Sequence, residues 1–183
     1  MPDFAYNGFV VHYTDTGFSD SRPGQAIVFI HGSCSSSRIF SHQLSRFQPG
    51  YRCIALDLFG HGKSSSPLPS SVGEQFYSLP SLAKSIISLL SYLSLDRATF
   101  VGWSLGNAIS LTIARSYPAV VDNLVLIAAS PTFFLHSEDD DFPGMRPSHV
   151  KPFLDHIRND YDSFYKDFVS RQYPEDQSGV YNQ

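Results

Sequence analysis

Ala98-Thr99-Phe100-Val101-Gly102-Trp103-Ser104-Leu105-Gly106-Asn107-Ala108-Ile109 is the stretch that decides the fold. The apolar run Ala98–Val101 reads as a buried strand. Residues 105–116 read as a helix, with Ala108, Ile109, Thr112 and Ile113 sharing one side and Pro118 following its end. Between them stands Gly102-Trp103-Ser104-Leu105-Gly106, a serine two residues from a glycine in both directions. A strand can turn into a helix within so few residues only if the flanking positions carry no side chain, because a Cβ there would strike neighbouring backbone. The serine itself must then hold a strained conformation that lifts Oγ clear of the sheet, the geometry of a nucleophile elbow. Its position at a helix N-terminus also favours negative charge developing beside it. The competing reading is a serine that merely caps the helix. The strand before the motif and the helix after it favour the elbow.

Upstream, Phe4 to Asp15 reads as two short strands joined at Asn7-Gly8, the strongest two-residue hairpin signal. Apolar runs follow at Ala26–Ile30, Cys53–Leu56 and, beyond the elbow, Leu124–Ala129. They are continuous rather than alternating, which predicts strands of a parallel sheet buried on both faces. Leu82, Ile86, Leu89, Leu90 and Leu93 recur at helical spacing and predict an amphipathic helix over 81–94, with Pro80 and Ser81 at its start. Strand and helix alternating in this order predict an α/β fold with a mostly parallel sheet and flanking helices. Composition changes after Ser130. The acidic run Glu138 to Asp141 and two prolines leave the sheet, and aromatic and aliphatic residues from Val150 to Phe168 recur at helical spacing as a hairpin lying over it. The expected organisation is a core over 1–130 and a helical cap over 131–183.

The chain has 183 residues, 42% of them apolar and 16% charged, which are globular values. Its net charge of −4 and the lack of a basic stripe argue against nucleic-acid binding. No apolar stretch approaches the roughly 20 residues that span a bilayer, and the N-terminus has no signal-peptide pattern. Cys34 and Cys53 have neither metal-site nor redox-motif spacing and read as reduced thiols. These features predict a monomeric cytoplasmic protein, with no partner among nucleic acids or membranes.

Two further motifs end strands. His31-Gly32-Ser33 follows Ala26–Ile30, and the Ser33 N–H is the expected second donor to an oxyanion, beside the N–H of Leu105. The Ser33 hydroxyl either assists there or is simply a polar loop group. His31 is read as structural rather than as a base, since it ends a strand well before the serine. Asp57-Leu58-Phe59-Gly60-His61-Gly62-Lys63-Ser64 follows Cys53–Leu56. Asp57 and His61 share that one loop and are read as bracing the site from below.

His-Gly after the third strand, Asp-x-x-Gly-x-Gly-x-Ser after the fourth and Gly-Trp-Ser-Leu-Gly after the fifth resemble the α/β-hydrolase superfamily in order and spacing. Within it, the stretch from Val101 onward is similar to the carboxylesterases of biotin synthesis that hydrolyse pimeloyl-acyl-carrier-protein methyl ester. The residues that carry this are Gly102–Gly106, Ala129-Ser130-Pro131, Phe142-Pro143-Gly144-Met145-Arg146-Pro147 and Phe168-Val169-Ser170-Arg171-Gln172. The resemblance implies Ser104 as nucleophile, with Phe168 and Gln172 lining an acyl channel; the alternative for Phe168 is packing within the hairpin. It implies an ester substrate, small or carried on an acyl carrier, and no metal or organic cofactor. Where that family presents arginines to its carrier, Ser163 and Asp167 stand here, with Arg158 and Lys166 nearby.

The resemblance also places the acid and histidine of the triad after the cap, and no residue up to Gln183 matches them. The expectation is a fragment lacking the last strands, with negligible esterase activity of its own. Two other readings stay open and a third is disfavoured. A sibling enzyme could cleave carbon–carbon bonds or lactones with the same elbow. A non-catalytic member could use the pocket to sense a ligand. Dehalogenases and epoxide hydrolases of this fold need an aspartate where Ser104 stands.

Overall fold

The computed structural model describes residues 2–18, 25–128 and 147–172. Their contacts fall into two units, Met1–Ala129 and Ser130–Gln183. The first holds strands β1 (Asp3–Tyr6), β2 (Phe9–Asp15), β3 (Ala26–Ile30), β4 (Arg52–Leu56), β5 (Ala98–Trp103) and β6 (Val121–Ile127). Its helices are α1 (Ser41–Phe47), α2 (Pro69–Val72), α3 (Leu79–Tyr92) and α4 (Leu105–Ser116). The strands form one sheet in the order β1-β2-β4-β3-β5-β6. β1 and β2 pair antiparallel, β2 joins β4 antiparallel, and β4, β3, β5 and β6 run parallel. This is the α/β architecture the sequence predicts.

Local chemistry explains the elements. At the hairpin, Asn7 and Gly8 both hold positive φ (49° and 82°), as a two-residue turn matching the strand twist demands. Every residue of β3 and β4 is buried, so their continuous apolar runs are sandwiched on both faces. Helix α3 buries Leu82, Ile86, Leu89 and Leu90 against them, and α4 buries Ile109 and Ile113.

Three boundaries differ from the sequence reading. β4 begins at Arg52, a charged residue that an apolar run excludes. It is buried because Asp15 takes its guanidinium through Nη2 at 2.7 Å and Nε at 3.0 Å, while Nη1 donates to the Leu93 carbonyl. Helix α3 runs 79–92 rather than 81–94. Its cap is Ser78, whose Oγ accepts from the Ser81 N–H at 3.4 Å, so Ser81 is the capped residue and not the cap. β6 starts at Val121, three residues before the apolar run, and none of its residues is buried. Among the described residues it pairs with β5, its Asp122 and Asn123 are exposed, and Arg97 pairs with Asp122 at 2.6 Å.

The second unit contains α5 (Pro147–Asn159) and α6 (Tyr161–Gln172). Asp160 Oδ1 accepts from the Ser163 N–H at 3.1 Å and starts α6. The two helices close on Phe164, which is buried, with Phe153 edge-on at 5.3 Å between ring centres. The acidic run Glu138–Asp141 and the segments Ala129–Pro131 and Phe142–Arg146 lie outside the described residues. Among the described residues, no helix is long and apolar enough to cross a membrane.

Candidate active site

The parallel strands explain where a site forms. From β3 the chain goes to β4 on one side, then crosses to β5 on the other. The connections therefore diverge above the carboxyl ends of β3 and β5, leaving a crevice at the point where ligands bind in open α/β sheets. The pairing Ile30↔Gly102 sets His31 to Ser33 beside Trp103 and Ser104. A Cβ on Gly32 would stand 2.9 Å from the Ser104 Cβ, so the two loops are in direct contact.

Ser104 has φ 53° and ψ −114°, a conformation that costs on the order of 1–3 kcal/mol for a residue with a side chain. The glycines permit it. A Cβ on Gly102 would lie 2.5 Å from the Gly106 carbonyl oxygen, and one on Gly106 would overlap the Ile30 carbonyl. The Ser104 hydroxyl makes no capping hydrogen bond to α4, which removes the reading of a mere helix cap. Among the described residues Ser104 Oγ has no hydrogen-bond partner, and the N–H groups of Ser33 and Leu105 have no acceptor. The hydroxyl stands beside the N-terminus of a twelve-residue helix, with the loop of Gly32 and Ser33 packed against it.

The neighbouring titratable residues are arranged oppositely. His31 is fully buried; its Nδ1–H donates to the Gly32 carbonyl at 2.7 Å and its Nε2 accepts from the Leu58 N–H at 3.0 Å. Loss of solvent around the ring pushes its pKa down to about 4, and the nearby His61 adds to this against the opposing Gly32 bond and Asp57 charge. A neutral imidazole with both nitrogens engaged cannot take a proton from Ser104. Asp57 accepts from the Ser37 N–H at 2.7 Å through Oδ1 and from the Lys63 N–H at 2.8 Å through Oδ2. Burial pushes its pKa up, but hydrogen bonds from Lys63 and from the backbone and side chain of Ser37 outweigh it and hold the carboxyl below the usual carboxylate range. His61 Nδ1–H donates to the Phe59 carbonyl at 3.1 Å, with its ring 5.1 Å from that of His31. Ser64 and Ser65 tie this loop to β2, through the His12 N–H to Ser64 Oγ at 2.9 Å and the Val10 N–H to Ser65 Oγ at 2.9 Å. The loop is a brace.

Asn107 carries a role that the sequence reading missed, having placed it only as a helical residue. It is buried in the first turn of α4, with Nδ2–H donating to the Ile127 carbonyl at 2.7 Å and Oδ1 accepting from the Ile127 N–H at 3.1 Å. The sequence signal is an amide side chain one turn before Ser110 in a helix whose other inward residues are apolar. In the second unit, Phe168 is half-buried and stacks on Phe164 at 5.8 Å, while the side chain of Gln172 lies outside the described residues. Ser163, Lys166 and Arg158 are exposed. Among the described residues no cluster of three His, Cys, Asp or Glu is placed to hold a metal ion. Two shallow depressions, one beside Phe47 and Tyr51 and one along α6, do not include Ser104.

Residues 25–154, most of the chain, match the family model for the alpha/beta hydrolase fold, so the chain belongs to the α/β-hydrolase family. It is 28% identical over 148 residues to a pimeloyl-[acyl-carrier protein] methyl ester esterase of Pectobacterium atrosepticum, covering 80% of this chain and 52% of that protein. An uncharacterised protein of Mycobacterium tuberculosis is 34% identical over 119 residues, 65% of this chain and 33% of its own length. Among solved structures, an esterase from Exiguobacterium antarcticum superposes with a TM-score of 0.76 at 26% identity, over 90% of this chain and 57% of its own. The chain thus spans between a third and about half the length of the curated relatives it matches.

Proposed function

We propose that Ser104 is the nucleophile of a serine-dependent carboxylic ester hydrolase. The observation that carries this is a strained serine whose hydroxyl has no hydrogen-bond partner among the described residues and whose Cβ lies against the loop of Gly32 and Ser33. Ser104 Oγ attacks the ester carbonyl carbon, its proton passes to a base, and the carbonyl oxygen becomes an oxyanion held by the N–H groups of Ser33 and Leu105. Collapse of that intermediate expels the alcohol and leaves an acyl-serine; water then attacks the acyl carbon and frees the acid. His31, with both ring nitrogens bonded to backbone, is not that base.

The sequence and fold relatives support an acyl ester as substrate, pimeloyl-acyl-carrier-protein methyl ester or a similar one. Phe168 and Gln172 are the side chains proposed to contact its acyl chain, and the exposed Lys166 and Arg158 are the cations available to an acidic carrier. The decisive experiment is trapping. With p-nitrophenyl butyrate at alkaline pH, the protein should acquire one butyryl group on Ser104, with nitrophenolate released as that ester forms. Ser104→Ala should abolish the adduct, a loss of at least about 10³-fold. An adduct that survives the substitution, or none on the wild type, overturns the assignment.

A further inference from the structure

The elbow strain must be held by something, and the polar contacts around Ser104 converge on one residue of β6. The Ile127 carbonyl accepts from the Ser104 N–H at 3.1 Å and from Asn107 Nδ2 at 2.7 Å. The Ile127 N–H donates back to Asn107 Oδ1 at 3.1 Å, and the Asn107 N–H donates to the Ser104 carbonyl at 2.9 Å. An amide side chain thus pairs with Ile127 as a neighbouring strand would, at the point where β6 ends. The next residue, Ala128, holds φ 51°, so two non-glycine residues in left-handed conformations flank the same closed ring of hydrogen bonds.

We propose that Asn107 is a positioning residue for the nucleophile: its side chain fastens the first turn of α4 to the end of β6 and so fixes Ser104 and the Leu105 N–H relative to each other. The inference rests on Ser104 being the nucleophile. Asn107 never touches substrate. It acts because Ser104 N–H and Asn107 Nδ2 share one acceptor, so releasing the side chain frees the Ile127 peptide on which the backbone of Ser104 hangs. Small displacements of a reacting group are costly, about 100-fold for a shift of roughly 1 Å.

The test is Asn107→Leu, which is nearly isosteric, uncharged and lacks both bonding atoms. Acylation of Ser104 by p-nitrophenyl butyrate is followed by intact mass at several ester concentrations, well below the melting temperature of each protein. The expected result is an acylation rate constant lowered about 10- to 100-fold with the half-saturating ester concentration unchanged. A residue that only packs would lower the melting temperature and leave that rate constant alone, which overturns the positioning role while the Ser104 assignment stands. If the wild type forms no adduct, the Ser104 assignment fails first and the positioning role with it. Should Asn107→Leu not fold, hydrogen exchange of the wild type decides. Protection of the Ile127 amide equal to that of buried β5 amides supports the clamp, and exchange at the rate of an open edge overturns it.

Discussion

Two polar clusters stand at the carboxyl ends of adjacent strands, and they differ in how completely their atoms are paired. After β3 and β4, His31 and Asp57 use both ring nitrogens and both carboxylate oxygens on backbone partners. After β5, the Ser104 hydroxyl has no partner among the described residues. The residues that look most reactive by type, a histidine and an aspartate, are therefore the inert ones. The least acidic group of the set is the one left available. Ser104 is half-buried, so its unpaired hydroxyl carries little of the cost of a buried orphan group. Saturation marks a brace, and an unpaired group held in a strained conformation marks a place where a reacting atom can sit.

Breaking the brace should cost the most stability. Asp57→Ala leaves the Ser37 and Lys63 N–H groups unpaired, at about 1–3 kcal/mol each. Chemical denaturation should show that loss in the midpoint with an unchanged slope. If the brace only supports, the folded fraction should still acylate at Ser104. A stable Asp57→Ala that no longer acylates would instead make Asp57 part of the reaction.

The pH dependence of stability separates the two members of the brace. His31 has a folded pKa of about 4, below its ordinary value of 6.5. The unfolded chain therefore binds the proton more readily. The contribution of neutral His31 is fully present above pH 6.5, is lost progressively from there to about pH 4, and amounts to about 3 kcal/mol. Asp57 is held below 3.8, so its contribution persists through that window and disappears only at lower pH. Denaturation midpoints of the wild type should fall between pH 6.5 and 4, and His31→Gln should flatten that limb while leaving the more acidic one. A flat wild-type profile over this window would show that His31 ionises freely in the folded protein.

Much of this was legible in the sequence, for reasons that particular residues make plain. The hairpin at Asn7-Gly8 and the elbow at Gly102–Gly106 are local: each is dictated by backbone conformations that few residues tolerate. Helix α4 was bounded by the same elbow and by Pro118. The misreadings are tertiary. Arg52 joins β4 only because Asp15, on another strand, neutralises it, and Asp122 and Asn123 join β6 at exposed positions, where Asp122 meets Arg97. The saturation of Asp57 depends on amides at Ser37 and Lys63, and the paired hydrogen bonds of the Asn107 side chain depend on Ile127, twenty positions away. Their place in the chain already marks His31, Asp57 and His61 as structural, and their partners show how each is held.

The smallest effect is the sharpest test of what remains unpaired. If the oxyanion is held by backbone, the Ser33 side chain is dispensable and only its N–H matters. Losing one oxyanion donor typically costs about 10²–10³-fold, whereas losing a bystander hydroxyl costs about twofold or less. Ser33 is half-buried, and its hydroxyl has no hydrogen bond among the described residues, so Ser33→Ala should also leave stability nearly unchanged. The acylation rate constant of Ser104 in Ser33→Ala should thus stay within about twofold of wild type. A drop approaching 10²-fold would move the second donor from the Ser33 amide to its hydroxyl, and the open side of the crevice would then be defined by two serines facing one another across the ends of β3 and β5.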